Sequence, residues 1–212
     1  SSFNNFVTDM LRTAAGTQLA LAPGFRFDSP LPAPAMLLED NTVATGAITL
    51  EDVYRYFPVV YTLAIGQTDG AGLRNLLEGA LTQVYSSDAF RQAGGWTPGL
   101  SGLRADVDLS KPDGQRVLTL SHTDGSPILP DEKLIVAGCR RPVDTADTLC
   151  GYAGFSNITP LLDPATGKPY TAADFFVHAL AAGYGPAAAR DSLHDVSATP
   201  VWPATPFVQP LP

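Results

Sequence analysis

The sequence predicts an α+β fold: one domain of mixed helices and a β-meander sheet, with an extended Pro-rich C-terminal tail. Three observations carry this. Helical apolar spacing and short β-rich runs alternate without a regular strand–helix repeat. Between Leu103 and Gly138, three strand-like runs are separated only by turn signals, which reads as a meander or hairpin unit. From Pro186 onward prolines are frequent and no period is kept, so residues 186–212 read as an arm packed on the domain or as disordered chain. The domain itself is expected over residues 1–185.

The elements follow in order. Phe3, Phe6, Val7, Met10, Leu11 and Ala14 recur at helical spacing, and Gly16 stops that helix near residue 15. Leu19-Ala20-Leu21-Ala22 reads as a short buried strand running into a Pro23-Gly24 turn. Pro30, Pro32 and Pro34 mark residues 28–45 as a surface loop. Thr49 opens the next helix with Asp52 as a capping-box partner, and Pro58 ends it near Phe57. Val59–Ile65 is rich in β-branched and aromatic residues and reads as a strand. Asp69 caps a helix to about Tyr85 whose stripe is Leu73, Leu76, Leu77, Ala80, Leu81 and Val84. Leu103–Leu109 and Arg116–His122 alternate around a Pro112-Asp113-Gly114 turn, with Val117, Thr119 and Ser121 opposite Leu118 and Leu120. Lys133–Gly138 is a third strand. Thr171 caps a last helix to about Ala182.

The 212 residues suffice for one large domain, and 45% hydrophobic content supports a sizeable core. A net charge of −8 with only 16% charged residues excludes polymeric nucleic acid as the partner. The apolar runs fall short of a membrane span. Ser1 stands almost directly before a helical pattern, which reads as a mature form or a fragment. The two cysteines, Cys139 and Cys150, suit one disulfide, stabilising by about 2–3 kcal/mol, or two separate buried thiols. No Cys or His pair lies nearby at zinc-ligand spacing.

Complete catalytic apparatus is not found. His122, His178 and His194 are isolated from one another and none sits at metal-ligand spacing; His122, in a strand, reads as a satisfied edge residue. Ser101 in Gly99-Leu100-Ser101-Gly102 lacks the final glycine of a nucleophile elbow, where Leu103 stands. Gly70-Ala71-Gly72 lacks the third glycine of a dinucleotide loop. Asp106 and Asp108 share a strand face and read as solvated carboxylates. One stretch does present a polar group from a rigid strand end: Leu19–Phe27 places Arg26 between Phe25 and Phe27. Arg26 is either an oxyanion contact or a surface arginine beside two core aromatics.

The order of short motifs resembles the C-terminal domain of the 5′-nucleotidase family of metallophosphoesterases, from about Phe3 to Ala182. Asn5-Phe6-Val7-Thr8-Asp9-Met10-Leu11-Arg12 looks like the family's "G-N-L-x-T-D-A-x-R" helix, and Leu19 to Arg26 stands where it has "A-L-x-N-G-G-x-R". Gly46-Ala47-Ile48-Thr49-Leu50-Glu51-Asp52-Val53 matches "G-x-I-T-x-x-D-V". Gly70 or Gly72 with Leu73, then Leu77-Glu78, is similar to "G-x-x-L-x-x-x-L-E". Ser101-Gly102-Leu103-Arg104 matches "S-G-L-R".

The resemblance implies that family's C-terminal fold and a substrate-binding domain of a periplasmic or secreted two-domain hydrolase acting on a phosphate ester such as a nucleotide. Two divalent metals are expected in an N-terminal metallophosphoesterase domain that this chain does not contain, so hydrolysis by this chain alone is not expected. The partners implied are that N-terminal domain and a small anionic substrate or carrier-protein arm. Arg26 matches the substrate-contacting arginine, with Gly24, Phe25, Phe57 and Trp96 as further substrate-binding candidates. An extracytoplasmic location also favours a Cys139–Cys150 disulfide. Two departures bear on the substrate. Val59 follows Pro58 where the family has an aromatic that stacks the base, leaving Phe57 as the substitute. Val136-Ala137-Gly138 leads into Cys139-Arg140-Arg141 in place of "G-G-D-G-F/Y". The Pro23-Gly24-Phe25-Arg26 loop looks more like the sulfate thiohydrolase of the Sox system, which acts on a carrier-bound sulfur substrate. A non-catalytic protein-interaction module is the third reading.

Overall fold

A computed structural model describes residues 2–23, 49–93, 97–184, 192–199 and 201. The first helix, α1, spans Ser2–Ala15. Its Phe6, Val7, Met10 and Leu11 are buried, as the spacing predicts. Gly16 ends it at φ +65°, a left-handed conformation that suits glycine. Strand β1, Leu19–Ala22, follows with all four residues buried. A short apolar run without alternation is what a strand covered on both faces requires.

Helix α2 spans Leu50–Tyr56, and Thr49 and Asp52 close the capping box reciprocally. Strand β2 spans Thr62–Asp69 rather than Val59–Ile65. The shift has a cause in pairing. Strand β6, Lys133–Arg140, matches it antiparallel from Thr62 opposite Arg140 to Asp69 opposite Lys133. Gly66 and Asp69 are recruited by that ladder despite poor strand propensity, while Val60 stays 70% exposed outside it. Helix α3, Gly70–Tyr85, is N-capped by Asp69, whose carboxylate accepts from the Gly72 amide at 2.9 Å.

Strand β3, Gly99–Ser101, pairs antiparallel with β1, and β6 pairs parallel with β1 on its other side. Strand β9, Ser156–Pro160, pairs with β2, giving the sheet order β3-β1-β6-β2-β9. The β2–β9 ladder has an irregularity between Ile65 and Gln67, and Asn157 sits at φ +51°. A second sheet holds β4, Leu103–Val107, and β5, Val117–His122, as a hairpin. So of the expected meander the first two strands form the hairpin, and the third, β6, crosses to the centre of the other sheet. A register shift between Asp106 and Val107 leaves Leu118 unpaired and 43% exposed, so Val117 and Leu120 are buried together and the expected alternation changes phase. Small strands β7, Thr148–Leu149, and β8, Tyr152–Ala153, form a hairpin of their own. Helix α4, Ala172–Ala181, starts at its Thr171 cap as predicted. Within the segment after Pro186, β10, Leu193–Asp195, adds to β4 in parallel. The mixed α+β class thus stands.

One polar node fastens α3 to the second sheet. Buried Glu78 accepts from the amides of Arg116 at 3.1 Å and Val117 at 2.6 Å. Arg116, also buried, donates to the carbonyls of Leu81 and Tyr85 near the end of α3 and to that of Lys111. It also pairs with Asp113 at 2.9 Å. The guanidinium therefore satisfies carbonyls that a helix end leaves open.

Glu78→Ala orphans two buried amides, those of Arg116 and Val117. A loss of about 2–4 kcal/mol is expected in urea unfolding. Acid should lower the stability of the domain in a defined window. The Gly72 amide and Lys133 hold Asp69 below the ordinary 3.8, the Ser126 hydroxyl does so for Asp124, and the Ala165 amide for Asp163. Depressed carboxyl values stabilise the fold fully above 3.8 and lose that contribution as pH falls below it. The melting temperature should be flat above about pH 5 and drop steadily toward about pH 2.

Candidate functional site

A cavity of about 310 Å³ opens where three strands of the larger sheet end. Helix α1 supplies Val7, Met10 and Leu11, and the end of β1 supplies Leu21, Ala22 and Pro23. The end of α2 adds Tyr56 and Phe57, and α4 adds Phe175 and Phe176. The far wall is Cys139, Arg141, Cys150, Gly151 and Tyr152. A concave, mostly apolar pocket with few polar groups, at the lower end of the size range for small-molecule sites, suits a compact organic ligand.

Phe57 reaches this wall because Pro58 ends the helix there. Its amide still donates to Val53 O at 3.0 Å. Its ring packs against Phe176 at 5.5 Å, and Phe6 meets the same ring at 5.5 Å edge-on. Phe176 is fully buried, so Phe57 is held by the core.

Arg141 is fixed more tightly still. Asp144 Oδ1 accepts from Arg141 Nε at 2.8 Å and pairs with Nη2 at 2.8 Å, while Oδ2 accepts from the Arg141 amide at 2.9 Å. The Asp144 side chain is fully buried, whereas that of Arg141 is 37% exposed. The hydrogen bond to Asp144 drives the Arg141 pKa further up, against the pull of burial. Gly151, at φ +84°, lies against the guanidinium, and a Cβ there would stand 2.5 Å from Arg141 Cζ. Only glycine fits both the dihedral and the contact.

Cys139 and Cys150 are brought together, both buried, as free thiols. The expected disulfide between Cys139 and Cys150 is not formed in this arrangement. Its atoms have other partners: the Cys139 amide donates to Cys150 Sγ at 2.7 Å, and Sγ–H of Cys150 points to Leu21 O at 3.5 Å. Burial pushes the Cys150 thiol well above its ordinary value of 9.0, with the neighbouring Cys139 adding to it.

Of the substrate-binding residues expected from the sequence, Phe57 lines the pocket. Gly24, Phe25, Arg26 and Trp96 lie outside the described residues; Pro23, directly before Gly24, lines the pocket. Sequence reading missed Arg141, Tyr56, Tyr61, Tyr152 and Phe175. The available signal for Arg141 was an acidic partner three residues on, in a turn where the Asp144 amide donates to Arg141 O at 3.1 Å.

The residues weighed and set aside have structural partners elsewhere. Ser101, fully buried, donates to Asp9 Oδ1 at 2.5 Å and accepts from Arg12 Nε at 2.9 Å, tying α1 to β3. His122 meets Glu132 at 2.7 Å, His178 meets Tyr170 at 3.1 Å, and His194 meets Asp106 at 3.0 Å. Contact with His194 is the main cause that holds Asp106 below the ordinary range, and the Ser110 hydroxyl does the same for Asp108. Among the described residues no group of three or more His, Cys, Asp or Glu could hold a metal ion, and no helix is long and apolar enough to cross a membrane.

A buried, protonated thiol is a poor nucleophile. In the reduced protein, iodoacetamide at about pH 8 should leave both cysteines of the folded domain unlabelled and modify both in urea, read by intact mass. Labelling of Cys150 without denaturant would contradict its burial.

The sequence pattern described as "5′-nucleotidase, C-terminal domain" matches residues 1–139. No curated sequence is similar to the chain. Solved structures share its fold. A 5′-nucleotidase precursor from Thermus thermophilus superposes with a TM-score of 0.68 at 23% identity, over 94% of this chain and 36% of that one. The sulfate thiohydrolase SoxB of the same organism gives 0.69 at 20% identity, over 96% and 33%. The NAD nucleotidase of Haemophilus influenzae gives 0.63 at 16% identity, over 94% and 33%. The chain therefore spans about a third of the length of these structures.

Proposed function

Because the chain belongs to the 5′-nucleotidase C-terminal domain family, we propose that it is the substrate-binding, specificity-setting domain of a two-domain hydrolase. The proposed substrate is a phosphate ester such as a nucleotide. The observation that carries this reading is the pocket at the end of β1, with Phe57 on its wall and the chain continuing from lining residue Pro23 into Gly24-Phe25-Arg26. In this reading Arg26 takes the anionic part of the substrate and Phe57 packs against its flat or apolar part, with Gly24, Phe25 and Trp96 completing the contact. The water-activating metals belong to an N-terminal metallophosphoesterase domain, so this chain binds and orients but does not itself cleave. A periplasmic or secreted location goes with the assignment, and oxidising conditions there would allow Cys139 and Cys150 to close a disulfide.

A second reading has two sequence departures in its favour: Pro23-Gly24-Phe25-Arg26 in place of an Asn-Gly-Gly loop, and Val59 in place of a stacking aromatic. It makes the natural substrate a carrier-bound sulfur group, as in sulfate thiohydrolases. A plain interaction module would instead bind partners without influencing hydrolysis.

Steady-state kinetics on the two-domain polypeptide separate these. For a nucleotide substrate, Phe57→Ala and Arg26→Ala should each raise KM about tenfold, the size of one lost stacking or charge-assisted contact. KM and kcat unchanged in both variants would remove this site from substrate binding.

A further inference from the structure

Arg141 was not expected from the sequence, yet it is the most constrained charged group on the pocket wall. A buried carboxylate, a turn and a glycine at positive φ all serve to hold it. Asp144 occupies Nε and one hydrogen of Nη2. Nη1 has no partner among the described residues. A guanidinium carries five donors and no acceptor, so several remain for a ligand. Phe57, Tyr61, Tyr152, Phe175 and Cys150 share the pocket lining with it, and none of these side chains is a charged type. Hydrogen bonds to an ion gain strength in such low-dielectric surroundings.

The net charge of −8 repels anions at long range, so an anionic ligand must be selected by a local, preorganised donor. Pairing with Asp144 does not cancel that role. It fixes the fork and leaves the outward N–H groups aimed away from the carboxylate.

We propose that Arg141 is a specificity-determining residue of the pocket, contacting an oxyanion group carried by a ligand whose apolar or aromatic body fills the cavity. This deepens the substrate-binding reading above and rests on it, because the same pocket is used. It narrows the ligand class to amphipathic anions: a flat apolar body bearing a carboxylate, sulfonate or phosphate within reach of Nη1. Arg141 acts by binding and makes no covalent step.

Two fluorescent probes with the same naphthyl body test this on the full natural polypeptide. One, 8-anilinonaphthalene-1-sulfonate, bears a single sulfonate; the other, N-phenyl-1-naphthylamine, is neutral. In Arg141→Gln the sulfonate probe should lose about tenfold in affinity, the size of one charge-assisted hydrogen bond, while the neutral probe changes less than about twofold. Arg141→Gln leaves Asp144 buried without its partner, so Arg141→Gln/Asp144→Asn is measured beside it and should show the same split. Arg141→Lys, which keeps the charge and loses the fork, should fall between wild type and the glutamine variant. Equal weakening of both probes, or unchanged sulfonate binding, overturns the role of Arg141 while leaving the pocket intact. Failure of both probes to bind the wild-type protein overturns the pocket itself. KM and kcat unchanged in both Phe57→Ala and Arg26→Ala would overturn only its use by the hydrolase.

Discussion

Pairing along β6 is the constraint on which the rest depends. The strand is bonded in parallel to β1 on one side and, over eight residue pairs, antiparallel to β2 on the other. Leu134 and Ala137 are fully buried as a result, and Val136 nearly so. Because β1 and β6 run the same way and β2 runs against them, the C-terminal ends of the first two and the N-terminal end of the third meet at one edge. That edge is where Ala22 and Pro23, Cys139 and Arg141, and Tyr61 and Leu63 face a common cavity. The register of one ladder thus decides which side chains can meet a ligand, since a slip by one residue would exchange the two faces of β6.

Around this ladder the charges are few and mostly committed. Arg116 closes the end of α3 and Glu78 anchors β5 to the same helix. Arg12 and Asp9 meet on Ser101, which joins α1 to the edge strand β3. Each such node replaces hydration with protein partners at a buried junction, which is where an unpaired group would cost most. Arg141 is different in kind: it is as firmly held as these, but it faces a cavity rather than a helix end. A group restrained that closely on an open wall loses little conformational entropy when a ligand arrives.

Much of this was legible in the sequence, for reasons that are local. Thr49, Asp69 and Thr171 set helix starts through their own side chains, and Gly16 sets a stop through its backbone. These features need no knowledge of the rest of the fold. What was not legible depended on partners distant in sequence. The start of β2 is fixed by Arg140, 78 positions away from Thr62 in the chain. Leu118 became exposed because β4 fails to pair with it, and no property of Leu118 announces that. The pocket followed the same division. Phe57 could be read from the proline beside it, whereas Arg141 gained its meaning only when Asp144 and Gly151 closed around it.

Strand β9 ends the larger sheet, with one edge on β2 and no strand beyond it among the described residues. Open edges are templates on which foreign strands can grow, and a flat one would endanger any protein kept at high concentration. This edge is poorly suited to that. Its ladder is irregular opposite Ile65 and Gln67, Asn157 breaks the extended conformation, and Pro160 has no N–H to offer. The irregularity that weakens pairing inside the sheet is therefore also a form of protection, trading a little internal order for resistance to runaway self-assembly.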